Sequence, residues 1–202
     1  MRPYALVLAA GQARRFGGDK LLEQYRGQPL LWHVLNAVAE GRRRELLGGG
    51  VVVVGEAEGE AYRLCQAFGL EAVVNESPQL GLARSIQLGL AALERRNAGA
   101  AAIFLGDQPL VRLEVVEALI GGWRETGAAA VRPLYRQNPD IPGHPILLDR
   151  SIWHLAGQLS GDRGFAAVFD SHSVPTLTID IPGDNPDVDT RADLLALKES
   201  LR

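Results

Sequence analysis

Five short runs of continuous apolar residues, Ala5–Ala10, Val51–Val54, Ala72–Val74, Ala100–Leu105 and Ala128–Val131, limit this chain most. A strand with one wet face alternates apolar and polar side chains, whereas a strand covered on both faces has no reason to. Between the runs stand segments with helical spacing, Leu30–Glu40, Glu58–Phe68, Ala83–Arg95 and Leu113–Glu125. Such strand–helix alternation demands right-handed crossovers and a mostly parallel sheet. The expected fold is α/β, a Rossmann-like three-layer sandwich, and 202 residues suit one domain over 1–202.

After Val131 the pattern changes. Arg136–Gly143, with Asn138, Pro139 and Pro142, is too rich in breakers for a regular element and reads as a loop. A strand at Pro145–Leu148, helices at Ile152–Gln158 and Gly164–Phe169, and a strand at Thr176–Ile179 are expected next. Pro182–Asp189 is a second loop. Thr190 then caps a last helix through Lys198, with Asp193 completing an acidic variant of the capping box.

Composition closes several alternatives. With 47% apolar and 22% charged residues the chain is neither disordered nor collagen-like. A net charge of −3 gives no electrostatic footprint for nucleic acid. The one cysteine, Cys65, makes neither an internal disulfide nor a cysteine-based zinc site, which fits a reducing cytoplasm. No apolar run approaches the roughly 18 residues of a membrane-spanning helix. Arg2, the apolar stretch to Ala10 and the small residues near Ala13 imitate an export signal, but a buried first strand is the better reading.

In an open parallel sheet, ligands sit beyond the carboxyl ends of the strands. The first such segment holds Gly11, Gly17 and Gly18 beside Arg14, Arg15 and Lys20, so flexible backbone and cations suited to phosphate occur together. A P-loop is excluded, because Lys20 precedes Leu21 rather than Ser or Thr. The dinucleotide fingerprint also fails, since Ala13 stands where its second glycine belongs. The second segment, Gly106-Asp107-Gln108-Pro109, puts a carboxylate directly after a buried strand, a good position for magnesium or for capping a helix.

Together these segments resemble the molybdenum cofactor cytidylyltransferases and guanylyltransferases, within the superfamily that includes sugar nucleotide pyrophosphorylases. The family pattern Leu-Ala-Ala-Gly-x-Ser-x-Arg-(Phe or Met)-Gly-x-x-Lys matches Leu8–Lys20, and Gly-Asp-x-Pro matches Gly106–Pro109. Gly81-Leu82-Ala83-Arg84-Ser85-Ile86, Gly143-His144-Pro145, Ser160–Gly164 and Asp187-Val188-Asp189-Thr190 are similar to further family segments, all in order from Leu6 to Leu194. Two departures stand out. The family serine is Ala13, and a family Gly-Ala-Arg is replaced by Gly164-Phe165-Ala166.

The resemblance implies a nucleotide-diphospho-sugar transferase-like sheet and magnesium-dependent transfer of CMP from CTP to molybdenum cofactor. The acceptor-side elements would come from about residues 132–202. Arg15 and Lys20 would offset triphosphate charge, and Asp107 would hold Mg2+ together with Asp189, or with the neighbouring Asp187. Leu8, Ala9, Ala10 and Gly11 would lie against the nucleotide, with Gly81 and Ser85 near its base; His144 and Asp162 would face the acceptor. Ala10 before Gly11 favours CTP, since the guanine-using branch reads Leu-Ala-Gly-Gly. A GTP-using transferase, a different phosphorylated acceptor, and a non-catalytic carrier delivering molybdenum cofactor to a molybdoenzyme or its maturation chaperone are the alternatives. Retention of Arg15, Lys20, Asp107 and Asp189 speaks against the carrier.

Overall fold

Neighbouring side chains of a strand point to opposite faces, and in the central strands of this protein both faces are dry. The computed structural model describes residues 1–11, 16–169, 171 and 173–199. Its first half runs β1 (Tyr4–Ala9), a 3-10 turn at Lys20–Leu22, β2 (Gln24–Tyr25), β3 (Gln28–Pro29), α1 (Leu30–Arg43), β4 (Gly50–Val54), α2 (Glu60–Ala67) and β5 (Glu71–Val74). Then come α3 (Leu82–Glu94), β6 (Ala100–Leu105), α4 (Leu113–Thr126), β7 (Ala130–Tyr135) and β8 (Ile146–Asp149). A 3-10 run at Arg150–Gln158, α5 (Ala166–Phe169), β9 (Thr176–Ile181) and α6 (Arg191–Glu199) complete it.

The continuous apolar runs have a simple cause. Ala5, Val7, Val52, Val54, Ala102 and Phe104 enter one core under α1, α2 and α4, against Leu31, Val34, Val116 and Leu119. Leu6, Leu8, Val51, Val53, Ala101 and Ile103 enter the other, against Ile86, Leu90 and Leu93 of α3 and against Trp153 and Phe165. Each fully buried aliphatic side chain contributes about 1.5–3 kcal/mol, so both layers are needed to hold the sheet.

Seven strands form this sheet in the order β5-β4-β1-β6-β8-β7-β9. All neighbours are parallel except at β8, which is antiparallel to both β6 and β7. From β1 the chain builds outward through β4 to β5, then returns to add β6 on the other side of β1. The order therefore reverses between β1 and β4 on one hand and β6 on the other, and the crevice lies at the carboxyl ends there.

Local differences from the sequence expectations have physical reasons. The Ile152–Gln158 helix is a 3-10 run, started by the Asp149 carboxylate accepting from the Ser151 amide at 2.9 Å. The Gly164–Phe169 helix shrinks to α5, Ala166–Phe169. β7 continues past Val131 because Pro133 has no strand opposite it on the β8 side; there its carbonyl accepts from the Gly143 amide. The expected capping box is present: Thr190 Oγ1 accepts from the Asp193 amide at 3.2 Å, and Asp193 accepts from the Thr190 amide at 2.7 Å. No helix among the described residues is long and apolar enough to cross a membrane.

Candidate active site

Lys20 leaves the glycine-rich segment after β1 and opens a 3-10 turn pinned by buried Leu21. Asp107 stands two residues beyond β6, where the Gly106 amide still donates to the Leu8 carbonyl at 3.0 Å and prolongs the β1–β6 register. The third contributor is the loop before α6. Its Val188 is buried among Phe16, Leu30 and Leu194, and its amide donates to the Asp107 carbonyl at 3.1 Å. That anchor sets Asp187 and Asp189, the residues on either side of it, beside the strand end.

The charges converge on one ammonium. Lys20 Nζ donates to Asp107 Oδ2 at 2.6 Å and to Asp189 Oδ1 at 2.9 Å. Side-chain exposure is 12% for Lys20, 18% for Asp107 and 48% for Asp189, so this pair of contacts is partly shielded from water. Burial by itself lowers the Lys20 pKa, but the two carboxylates outweigh it and hold the ammonium above its ordinary value. Asp187 is raised, first by burial and then by the charge of Asp107, against a hydrogen bond from Gln108.

Behind the carboxylates lies a buried amide chain that the sequence reading did not single out. Gln108 Nε2 donates to Asp187 Oδ1 at 2.8 Å, and Asn185 Nδ2 donates to Gln108 Oε1 at 3.1 Å. The same Asn185 group donates to the His144 carbonyl at 3.3 Å, which also accepts from the Tyr135 hydroxyl at 2.8 Å. Position was the available signal, since Gln108 directly follows Asp107 and Asn185 falls in the Pro182–Asp189 loop.

A cavity of about 560 Å³ opens over this cluster, within the range of small-ligand sites. Leu8, Ala9, Ala10, Gly11, Lys20, Gly81, Ser85, Asp107, Asp162, Asp187 and Asp189 all line it, although they are far apart in sequence. Pro78 and Gln79 line it too and were not anticipated. His144 is not among the lining residues; burial and the positive charge of Arg132 push its imidazole down to about 4. Arg15 lies outside the described residues.

Asp162 has structural work within this cavity. Its Oδ1 accepts from the Leu82 amide at 3.3 Å, and the Gly161 carbonyl accepts from the Ala83 amide at 3.0 Å. Together they cap the amino terminus of α3 from a distant part of the chain. The fit depends on Gly81, at φ 85° and ψ −171°. A β-carbon there would overlap the Gly161 carbonyl carbon and lie 2.7 Å from Asp162 Oδ1.

Residues 5–176 match the model of the MobA-like NTP transferase domain. A bifunctional protein GlmU of Rhizorhabdus wittichii is 37% identical over 123 residues, 59% of this chain and 26% of that protein. A probable molybdenum cofactor guanylyltransferase of Thermococcus kodakarensis is 30% identical over 141 residues, 68% of this chain and 62% of that protein. The chain thus spans only about a quarter to a third of the length of the GlmU relatives it matches. Among solved structures, Rv0371c of Mycobacterium tuberculosis superposes with a TM-score of 0.79 at 27% identity, over 98% of this chain and 99% of that one. Its complex with manganese gives 0.77 at 26% identity, over 99% and 100%.

Proposed function

Because the chain belongs to the MobA-like NTP transferase domain family, we propose that it transfers CMP from CTP to the molybdopterin form of molybdenum cofactor, releasing pyrophosphate. The observation that carries this reading is the division of one cavity. Lys20, Asp107, Asp187 and Asp189 make a charged lining, while Leu8–Gly11, Pro78, Gln79, Gly81, Leu82 and Ser85 make a mostly neutral one, with the Asp162 carboxylate at its edge on the Leu82 amide. A nucleoside triphosphate has the same division between phosphates and base.

The reaction needs positioning and charge neutralisation more than covalent catalysis. A phosphate oxygen of the acceptor attacks the α-phosphorus in line, the bond from the α-phosphorus to the bridging oxygen breaks, and pyrophosphate departs with that oxygen. Lys20 exchanges part of its contact with the carboxylates for triphosphate oxygens. Asp162, and through its loop His144, belong to the acceptor side of this reading.

The carboxylates suit a divalent cation. Among the described residues Asp107 and Asp189 share the Lys20 ammonium, and Asp187 stands close enough to feel the charges of Asp107, Asp189 and Lys20. Among the described residues no group of three ligands meets at one metal position, and magnesium asks for only one or two protein carboxylates with phosphate and water. Asp107 and Asp189, which already share Lys20, would hold Mg2+ in this reading. When bound, such an ion neutralises charge on the reacting and departing phosphate oxygens.

Ala10 lines the neutral part of the cavity and supports a pyrimidine. The Thermococcus relative, named as a guanylyltransferase, favours GTP as the second reading. Pyrophosphate release, measured with molybdenum cofactor and Mg2+ for CTP, GTP, UTP and ATP in turn, tests both. CTP is expected to be fastest. A preference for GTP overturns the cytidylyl assignment alone, and no release with any triphosphate overturns nucleotidyl transfer to this acceptor.

A further inference from the structure

Asn75 follows β5 directly and is fully buried, with its backbone amide donating to the Val54 carbonyl at 2.8 Å. Its side chain touches two groups, the Ser77 amide at 3.0 Å and Ser85 Oγ at 3.0 Å. The first contact settles the orientation of the amide. A backbone N–H can only donate, so Oδ1 faces Ser77 and Nδ2 faces Ser85. Nδ2 can only donate in turn, so Ser85 Oγ is the acceptor and its own hydrogen must point elsewhere. That hydrogen finds no acceptor among the described residues. Ser85 is 5% exposed, and what it does expose faces the neutral part of the cavity. A buried hydroxyl without an acceptor is costly to keep.

We propose that Asn75 is a specificity-positioning residue: it fixes the Ser85 hydroxyl as a donor into the cavity, where it meets an acceptor on the nucleotide base. The proposal rests on the nucleotidyltransferase reading above. On the base edge, cytosine offers acceptors at both O2 and N3. Uracil carries a hydrogen on N3, and guanine carries hydrogens on N1 and the 2-amino group. Uracil has O4 as its second acceptor in place of N3, so a donor held in one orientation by a buried amide meets two acceptors on the edge of either pyrimidine and one, O6, on that of guanine. The local hydrogen-bond polarity is set one residue beyond the sheet, out of reach of the ligand itself.

Two variants and their combination test this by steady-state pyrophosphate release with the whole chain. Ser85→Ala removes the donor. Asn75→Asp keeps the serine but reverses it, because a carboxylate accepts from both the Ser77 amide and the Ser85 hydroxyl. Each variant is expected to raise KM for CTP about three- to tenfold, the net worth of one neutral hydrogen bond, with kcat nearly unchanged. Inhibition by tripolyphosphate, which has no base, is expected to stay as in the parent chain. The double variant is expected to lose no more than either single one, since both changes remove the same contact. Ser85→Ala is close to isosteric and decides the matter alone if Asn75→Asp does not fold. Parent turnover with an unchanged KM for CTP in Ser85→Ala overturns this proposal and leaves nucleotidyl transfer standing. Fully additive losses overturn the link between Asn75 and Ser85. Absence of turnover by the parent chain with any triphosphate overturns both readings.

Discussion

Replacing Gly81 by alanine is expected to strike the contact between α3 and the Ser160–Gly164 segment. Its backbone, φ 85° and ψ −171°, lies in a region that essentially only glycine occupies, at a cost of about 1–3 kcal/mol for other residues. The added methyl would also sit 2.5 Å from the Gly161 carbonyl oxygen and 2.7 Å from Asp162 Oδ1. The first neighbour is backbone and the second is a carboxylate engaged by the Leu82 amide, so the loop must move and release its hydrogen bonds from Ala83 and Leu82. Those add about 0.5–1.5 kcal/mol each, the longer one least. Together the loss is about 2–5 kcal/mol, roughly 5–15 °C of melting temperature if it were felt globally. Gly161→Ala is the control. It too has positive φ, 61°, but its β-carbon meets nothing within 4 Å, so about 1 kcal/mol is expected from the backbone alone. Thermal melts of both variants, with amide exchange at Leu82 and Ala83, read the difference. Equal melting losses, or Leu82 and Ala83 amides still protected in Gly81→Ala, would refute the reasoning.

Three further perturbations address the site. Asp107→Asn takes one of two carboxylates from Lys20 and leaves Asp189, so stability is expected to fall by only about 1–2 kcal/mol. Turnover is expected to fall at least about a hundredfold, because a neutral amide is a poor magnesium ligand; a melt beside a metal titration checks this, and joint collapse of fold and activity counts against it. Ala10→Gly removes a methyl from the cavity wall and is expected to narrow the CTP-over-GTP ratio several-fold, within about 1–3 kcal/mol, with CTP turnover retained. An unchanged ratio would place the base elsewhere. His144 supplies a pH signature: folded, it titrates near 4, below the ordinary 6.5, so the native state binds fewer protons there than the unfolded chain. Its contribution is complete above pH 6.5 and is lost as pH falls toward about 4. Urea unfolding across that window is expected to show a shallower slope for His144→Asn than for the parent, and equal slopes would remove His144 as the cause.

The central strands were legible because burial on both faces leaves a mark that composition cannot hide, as in Val51–Val54. Strand direction leaves none: Ile146–Leu148 is as apolar as its parallel neighbours, yet it runs against them. The β2–β3 hairpin escaped notice because its turn is Arg26-Gly27, and Arg26, at φ 50°, is not a residue that announces a left-handed turn. Lys20, Asp107 and Asp189 could be read from motif order, since each follows or precedes a recognisable element. Asn75 could not, and Gln108 and Asn185 offered only their position beside recognisable segments. Their importance lies in partners 10, 79 and 77 positions away along the chain, a relation that only the folded arrangement supplies.

The reversed strand β8 changes where this protein can vary. A parallel strand presents its exit to the crevice, and the chain must then cross the whole sheet before it returns. β8 presents its entrance instead, with Ile146 opposite Ile103 near the carboxyl end of β6. The segment between Tyr135 and Ile146 thus leaves and re-enters the sheet on the same rim, with no helix to carry across. Such a segment can lengthen cheaply, at roughly 0.6 kcal/mol for each doubling of a flexible loop. Insertions of different length between Arg136 and Gly143 would reshape what the rim grips while every buried layer stays as it is. That makes this stretch the natural graft point for exchanging rim segments between proteins built on the same sheet.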